Sequence, residues 1–386
     1  MAELRPHAGL STRAVHAGDA SPVAGGPVAT PIFQTSTFFS EPEGSGEVRY
    51  TRYGNNPNHS ALERKLASLE GAEECAVSAS GMAALSCAVL ACAAAGDHVV
   101  AARALYGGTR TLLDRELKRL GIETSYVDLS LPGWQQALRP NTRVVLAETP
   151  TNPLLRVLDL RTIGEAAHVH GASLLVDATL ATPVNLRPLE HGADLVIHSL
   201  TKYLGGHSDV TGGAVAGRLE LVQEVRRRAQ IFGAVLDPHA AWLVERGVKT
   251  LSVRMERHNR NGQVVAEWCE QQPGFARVHY PGLESHPDHR LAARLLDGFG
   301  GMMSVELRGG GAAADRFVAG LRLAKVAPSL GGVETLVSEP RHTSHAGLPQ
   351  EEREAIGIHD GLVRFSLGIE DAQDLLADIE GALREL

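Results

Sequence analysis

The chain is short of cysteine, of basic charge and of long apolar runs, and each shortage closes off a class of protein. Its four cysteines, Cys75, Cys87, Cys92 and Cys269, form no C-x-x-C pair, and three lie in strongly apolar stretches, as buried thiols do in a reducing compartment. Disulfides are not expected. The longest apolar run, Cys87 to Ala95, is broken by Gly96-Asp97-His98 and is too short to span a bilayer. Met1 to Arg13 carries no apolar signal core. The expectation is a cytoplasmic protein with no membrane partner. With a formal net charge of -8, no basic surplus exists to neutralise a phosphate backbone, so nucleic acid is not expected as a partner. The one arginine run, Arg226-Arg227-Arg228, reads as a solvated helix face. Seventeen histidines are present, but the local groups His168/His170, His286/His289 and His342/His345 have neither an H-E-x-x-H frame nor a cysteine partner, and no metal site is expected. Internal repeats and low-complexity tracts are absent.

What the chain does have is length and apolar content. At 386 residues and 44% apolar it can bury a large core, and it is long enough to divide into two domains, because single cores stop growing at about 250–300 residues. From Asn58 to about Gly217, short β-branched or apolar runs alternate with helical patterns, the signature of a mostly parallel sheet wrapped by helices. Seven candidate strands follow: Glu74–Ser78, His98–Ala102, Glu123–Val127, Arg143–Glu148, Ser173–Ala178, Leu195–His198 and Gly213–Ala216. A long helical stretch from Pro238 to about Gln271 then bridges to Gly274–Leu386. There the separated strands Arg277–Tyr280, Met303–Leu307 and Val363–Leu367, mixed with amphipathic helices, suggest a smaller α+β domain. Before Asn58, Gly25–Asn56 is rich in Gly, Pro, Ser and Thr without sustained periodicity, so it reads as an arm or loop. The expected division is an arm over residues 1–57, a large domain over 58–237 and a C-terminal α+β domain over 238–386.

Ligands on open α/β sheets gather at the carboxyl ends of the strands, and three polar groups stand there. Ser78-Ala79-Ser80-Gly81-Met82 follows a strand and opens a helix. Ser80 is a candidate N-cap and Gly81 allows close backbone approach, so the free N–H groups and the helix dipole make an anion site that a phosphate fits. Asp177 ends an apolar strand, where an unpaired carboxylate is costly. It needs a cationic partner such as a protonated pyridine nitrogen. Lys202, 25 residues later in Ser199-Leu200-Thr201-Lys202-Tyr203, follows the strand Leu195–His198, and a lysine at a strand end can form a Schiff base where its surroundings lower its pKa. The hydroxyls of Ser199 and Thr201 can complete a phosphate cradle.

These strings, together with Tyr50-Thr51-Arg52-Tyr53-Gly54-Asn55, Tyr106-Gly107-Gly108-Thr109, Glu148-Thr149-Pro150-Thr151-Asn152-Pro153 and Gly205-Gly206-His207-Ser208-Asp209, resemble the Cys/Met-metabolism (transsulfuration) family of pyridoxal-phosphate enzymes. The resemblance runs from Thr12–Gly18 to Arg364–Asp371. It implies the fold of type I pyridoxal-phosphate-dependent transferases and pyridoxal 5'-phosphate as cofactor. By motif, Lys202 would carry the cofactor, Asp177 would pair with its pyridine nitrogen, Gly81 and Met82 amides with Ser199 and Thr201 would hold the phosphate, and Tyr106 would stack on the ring. Arg364 would clamp the carboxylate of an amino-acid substrate, helped by Asn152 and Ser329. Tyr50 and Arg52 would reach the phosphate of a neighbouring subunit, which implies an active dimer and usually a homotetramer. The implied reaction is γ-elimination or γ-replacement on cystathionine, methionine or an O-acylhomoserine, with C–S cleavage favoured. A cystathionine β-lyase, an O-acylhomoserine sulfhydrylase or an aminotransferase stands as the alternative.

The chain departs from the specialised members at three places. Pro328 stands before Ser329 where an acid accompanies cystathionine handling. Gly108 stands where methionine γ-lyases carry a cysteine. Arg49 precedes Tyr50 where relatives that bind a second amino-acid head often place an acid. Weak recognition of a distal ammonium is therefore expected.

Overall fold

The computed structural model describes residues 8–41 and 46–386; the remaining stretches of the expected N-terminal arm lie outside the described residues. Seven strands build one sheet: β1 (Glu74–Ser78), β2 (His98–Ala102), β3 (Glu123–Val127), β4 (Thr142–Glu148), β5 (Ser173–Asp177), β6 (Leu195–Ser199) and β7 (Gly213–Gly217). They lie in the order β1-β7-β6-β5-β4-β2-β3. β3, β2, β4, β5 and β6 are mutually parallel, and β7 runs antiparallel to both β6 and β1. The near-continuous apolar character of β2, β4, β5 and β6 fits this arrangement, since strands of a parallel sheet are covered on both faces. The residues Val99, Val145, Leu175 and Val196 have no solvent contact.

Each crossover helix has its own local cause. Helix Pro57–Glu70 starts with the Asn56 side chain accepting the Asn58 N–H, has proline in its first turn, and ends at Gly71 in the left-handed region with φ 68°, the usual cap and stop residues. Helix Gly81–Cys92 starts where the Ser80 side chain accepts the Ala83 N–H. β7 can pass beside this start only because position 213 is glycine; a Cβ there would meet the Ser80 carbonyl oxygen.

The C-terminal part carries a second sheet of five strands, β8 (Phe275–His279), β9 (Met302–Leu307), β10 (Lys325–Val326), β11 (Leu336–Ser338) and β12 (Leu362–Ser366), in the order β10-β11-β12-β9-β8. Phe317, Phe365, Tyr280 and Val265 fill its core. A further cluster, including Leu62, Val77, Tyr203, Met255 and Leu330, packs elements of the two halves together. The α/β class with a mostly parallel sheet and a smaller second sheet is thus as expected. Two details differ. The long helical stretch is two helices, Pro238–Val248 and Leu251–Glu270, because the chain breaks at Lys249-Thr250. β10 and β11, of two and three residues, are too short to give a periodic signal.

The arginine run is a correction. Only Arg227 behaves as a solvated residue, pairing with Glu224 on its own helix. Arg226 points inward and grips buried Glu63 through one guanidinium nitrogen at 2.8 Å from each carboxylate oxygen, with Glu74 and the Cys75 carbonyl on the other nitrogen. It ties helix Leu219–Phe232 to helix Pro57–Glu70 and to β1. Burial still pushes the Glu63 carboxyl up to about 7, against the pull of Arg226. A folded-state pKa above the ordinary value means that stability contributed by this group falls as pH rises from the ordinary carboxylate range through 7. Removing the cation deepens that fall. Arg226→Met should cost about 3–5 kcal/mol, with a larger loss at pH 8 than at pH 5, read by denaturant unfolding at both values. An equal loss at the two pH values would show that Glu63 is not the group being stranded.

Candidate active site

The carboxyl ends of β4, β5 and β6 converge with loops of the C-terminal part on one polar cluster. Lys202 follows β6 by three residues, and its Nζ donates to Ser329 Oγ at 2.7 Å. Burial, and secondarily the charge of Arg364, lowers the Lys202 pKa to about 8. The two causes act alike, because both disfavour the ammonium form. Ser329 itself has φ 99°, a costly conformation for a residue with a side chain. It is held from two sides: Lys202 on its hydroxyl and Arg364 Nη2, at 3.0 Å, on its carbonyl.

Arg364 lies in the middle of β12 and is 6% exposed. Its other terminal nitrogen donates to Asn152 Oδ1 at 3.2 Å, and among the described residues its Nε has no partner and no carboxylate pairs with it. Burial drops its pKa to about 10. A buried guanidinium bonded only to neutral oxygens is a receptor for an anion. Asn152, Ser329, Arg364 and Lys202 are therefore joined in one hydrogen-bonded cluster.

Asp177 and Glu148 end β5 and β4 as direct register partners. Burial raises the Asp177 pKa, opposed by its hydrogen bonds from Thr179. Glu148 is pushed up to about 8 by burial and then by the charge of Asp177. Two carboxylates side by side, one buried and one half-buried, cannot both ionise cheaply without a cation between or beside them. Thr179 links this pair to the next strand, donating its N–H to Asp177 Oδ1 at 3.0 Å and accepting the Ser199 N–H at 2.9 Å.

The residues expected to cradle an anion stand around the start of helix Gly81–Cys92. Gly81 and Met82 are the first two residues of their helix, so their N–H groups lack helical acceptors. A Cβ on residue 81 would sit 2.9 Å from the Ser199 Cβ, so glycine keeps this space open beside the serine. Thr201 is differently occupied: its hydroxyl bonds the Gly212 N–H at 3.1 Å. Tyr106 is half exposed, and its ring lies against Gly108, where any Cβ would meet Tyr106 Cε1 at 2.6 Å and Met82 Sδ at 3.1 Å. Tyr50 and Arg52 are not joined to this cluster within the chain. Arg52 donates to the Gln230 carbonyl at 3.2 Å and stacks on Tyr53 with its guanidinium 5.0 Å from the ring centroid. Among the described residues, Asp315, Glu339 and His342 bring three metal-ligand types together, but the Arg341 guanidinium already bonds both carboxylates.

The groups fit pyridoxal 5'-phosphate: an amine with lowered pKa for its aldehyde, a stranded carboxylate for its ring nitrogen, and an open helix N-terminus for its phosphate. Residues 11–384 match the model of the Cys/Met metabolism PLP-dependent enzymes. The chain belongs to this family. It is 45% identical over 379 residues to a cystathionine beta-lyase of Lactococcus lactis subsp. cremoris (strain MG1363), covering 97% of this chain and 99% of that protein. It is 43% identical over 391 residues to an L-methionine gamma-lyase of Fusobacterium nucleatum subsp. polymorphum, covering 98% of each. Among solved structures, cystathionine gamma synthase from Xanthomonas oryzae pv. oryzae in complex with aminoacrylate and cysteine superposes with a TM-score of 0.94 at 42% identity, covering 98% of both chains. As a member of this PLP-dependent family, the chain is an enzyme with pyridoxal 5'-phosphate as its cofactor. No helix among the described residues is long and apolar enough to cross a membrane.

Sequence reasoning missed Glu148 as a site residue and Thr179 altogether. Glu148 was visible as the first residue of the Glu148–Pro153 string, but its role depends on register with Asp177, which only the paired strands reveal.

The depressed Lys202 pKa has a direct readout in the cofactor-free protein. Labelling of Lys202 by an amine-selective reagent should rise with pH around a midpoint near 8, and Arg364→Met should move that midpoint upward by only part of the way to an ordinary lysine, since burial, the larger cause, remains. A midpoint unmoved by Arg364→Met would remove the guanidinium as a cause.

Proposed function

We propose that this enzyme carries out elimination or replacement at the γ-carbon of a sulfur-containing or homoserine-derived L-amino acid, with C–S bond cleavage favoured. The observation that carries the reading is Arg364: a buried cation with no carboxylate partner among the described residues, beside an amine of lowered pKa. An α-amino acid needs that pair, one cation for its carboxylate and one base near its Cα. When bound, the cofactor supplies an electron sink that stabilises charge next to the amino group.

The remaining work falls to the chain's own side chains. Arg364 and Asn152 orient the substrate carboxylate. Lys202, with its lowered pKa, can move protons at Cα and Cβ near neutral pH. Ser329 provides a resting acceptor for the Lys202 amine. Tyr106 would pack against the cofactor ring, Asp177 would pair with its nitrogen, and Gly81, Met82 and Ser199 would hold its phosphate. Thr201 contributes by bracing Gly212 in the same loop set.

The proposed assembly is a cytoplasmic homotetramer of two active dimers, with the arm, 1–57, crossing between subunits and the boundary of the large domain near residue 237. What supports it is the arm's character. Val23, Val28 and Phe39 are largely exposed, and among the described residues Arg52 has no anionic partner, so an apolar surface and a cation are there for a neighbour to meet.

Specificity on this reading is broad. Pro328 is exposed and offers neither charge nor N–H, and Arg49, exposed as well, is offset among the described residues by Glu47 at 3.7 Å. The similarity to a β-lyase keeps β-cleavage as the second reading. A panel of L-cystathionine, L-methionine and O-acylhomoserines, read by oxo-acid release with and without added thiol, separates the two. γ-Cleavage of cystathionine yields 2-oxobutanoate and cysteine; pyruvate and homocysteine in their place would transfer the assignment to β-elimination. Mixed and reassembled Lys202→Ala and Arg52→Ala subunits should regain part of the activity, and no recovery despite proven subunit exchange would reject the shared site.

A further inference from the structure

Glu148 holds a place that its neighbours' roles leave unexplained. It is 4% exposed, and both of its carboxylate oxygens are engaged by backbone. Oε2 accepts the Tyr106 N–H at 2.8 Å, across 42 residues of chain, and Oε1 accepts the Asn152 N–H at 3.0 Å. The two loops it joins do different things. Tyr106 begins the segment whose ring lies against Met82 and Gly108; Asn152 is the side chain that accepts from Arg364. One carboxylate therefore spans the cofactor face and the anion receptor.

We propose that Glu148 is a positioning residue that fixes, through one carboxylate, both the ring of Tyr106 over the cofactor and the amide of Asn152 beside Arg364. The proposal deepens the reading above and rests on it for the substrate half. Only a carboxylate does this with two equivalent acceptors; a glutamine presents one oxygen and one NH2 group, so one of the two N–H donors would face another donor. The neighbouring Asp177 opposes ionisation of Glu148, and a ring cation beside Asp177 offsets that opposition. Loading the site thus favours the form of Glu148 that accepts from both loops.

The test is a pair of double-mutant cycles. Glu148→Gln should keep the wild-type circular dichroism and a near-wild-type thermal midpoint. It should weaken the affinity of the cofactor-free protein for pyridoxal 5'-phosphate, measured by fluorescence quenching, and raise KM for the best substrate of the panel. Charge-assisted hydrogen bonds set the scale at about tenfold for the loop left unpaired, with kcat changed less. If Glu148 acts through Tyr106 and Asn152, the affinity effect shrinks to under about twofold in a Tyr106→Ala background. The KM effect shrinks likewise in an Asn152→Ala background. Undiminished effects in both backgrounds, or a Glu148→Gln protein indistinguishable from wild type, would overturn the proposal. Should Glu148→Gln fail to fold, Glu148→Asp, which keeps the charge and withdraws it by one methylene, goes through the same cycles with the same deciding outcomes. Failure of the wild-type protein to turn over any panel substrate would count against the proposed function alone, because the affinity cycle with Tyr106 needs no turnover.

Discussion

Uncompensated charge in a dry setting is the constraint on which this candidate active site depends. Buried Glu148 and half-buried Asp177 end adjacent parallel strands as register partners, while Arg364 lies on β12 and Lys202 in the segment after β6. Among the described residues neither carboxylate pairs with a guanidinium or ammonium, and Arg364 pairs with no carboxylate. Ordinary folding would select against such an arrangement, since a buried charge without a partner costs several kcal/mol. Its persistence makes sense if the partners arrive from outside: a ring cation for Asp177 and a substrate carboxylate for Arg364. The same unpaired state lowers the Lys202 pKa, because burial and the Arg364 charge act in one direction.

The scaffold's contribution is rigidity around that constraint. The loop that carries Asn152 is tied to the C-terminal part by Arg156, whose Nε and Nη2 meet the Asp288 carboxylate at 2.6 and 3.1 Å, and by the Ser304 hydroxyl on the Pro153 carbonyl at 2.8 Å. On the opposite side, Arg254 reaches the Tyr203 carbonyl at 2.7 Å and the Gly247 carbonyl at 2.8 Å, bracing the residue next to Lys202. Beneath β6, His198 bonds Glu70 at 2.5 Å. Strands supply direction, these cross-ties supply position, and the polar groups at the strand ends are left to bind.

Much of this was legible in the residues because parallel strands announce themselves by composition. Three of the first seven strand ranges coincide with the observed ones and the others differ by a residue at an end. Lys202, Asp177 and the Ser80-Gly81 helix start could be placed at strand ends for the same reason. What stayed hidden depends on pairing between distant segments. The inward turn of Arg226 is set by where Glu63 and Glu74 fall in space, not by the run of arginines. β10 and β11 are stabilised by neighbouring strands and not by their own pattern. The double grip of Glu148 requires knowing that β4 and β5 are neighbours in register. Tyr50 and Arg52 were assigned by resemblance; among the described residues Arg52 meets the Gln230 carbonyl and the rings of Tyr50 and Tyr53, so their role belongs to the proposed assembly.

The account stands most directly on the bond between Lys202 and the cofactor. Borohydride reduction of the loaded protein, followed by peptide mapping in a mass spectrometer, should find the pyridoxyl group on the peptide containing Lys202 and on no other lysine, and the mass addition should vanish in Lys202→Ala. A pyridoxyl group on Lys65, Lys118, Lys249 or Lys325, or an unmodified Lys202 in a protein that retains bound cofactor, would contradict it.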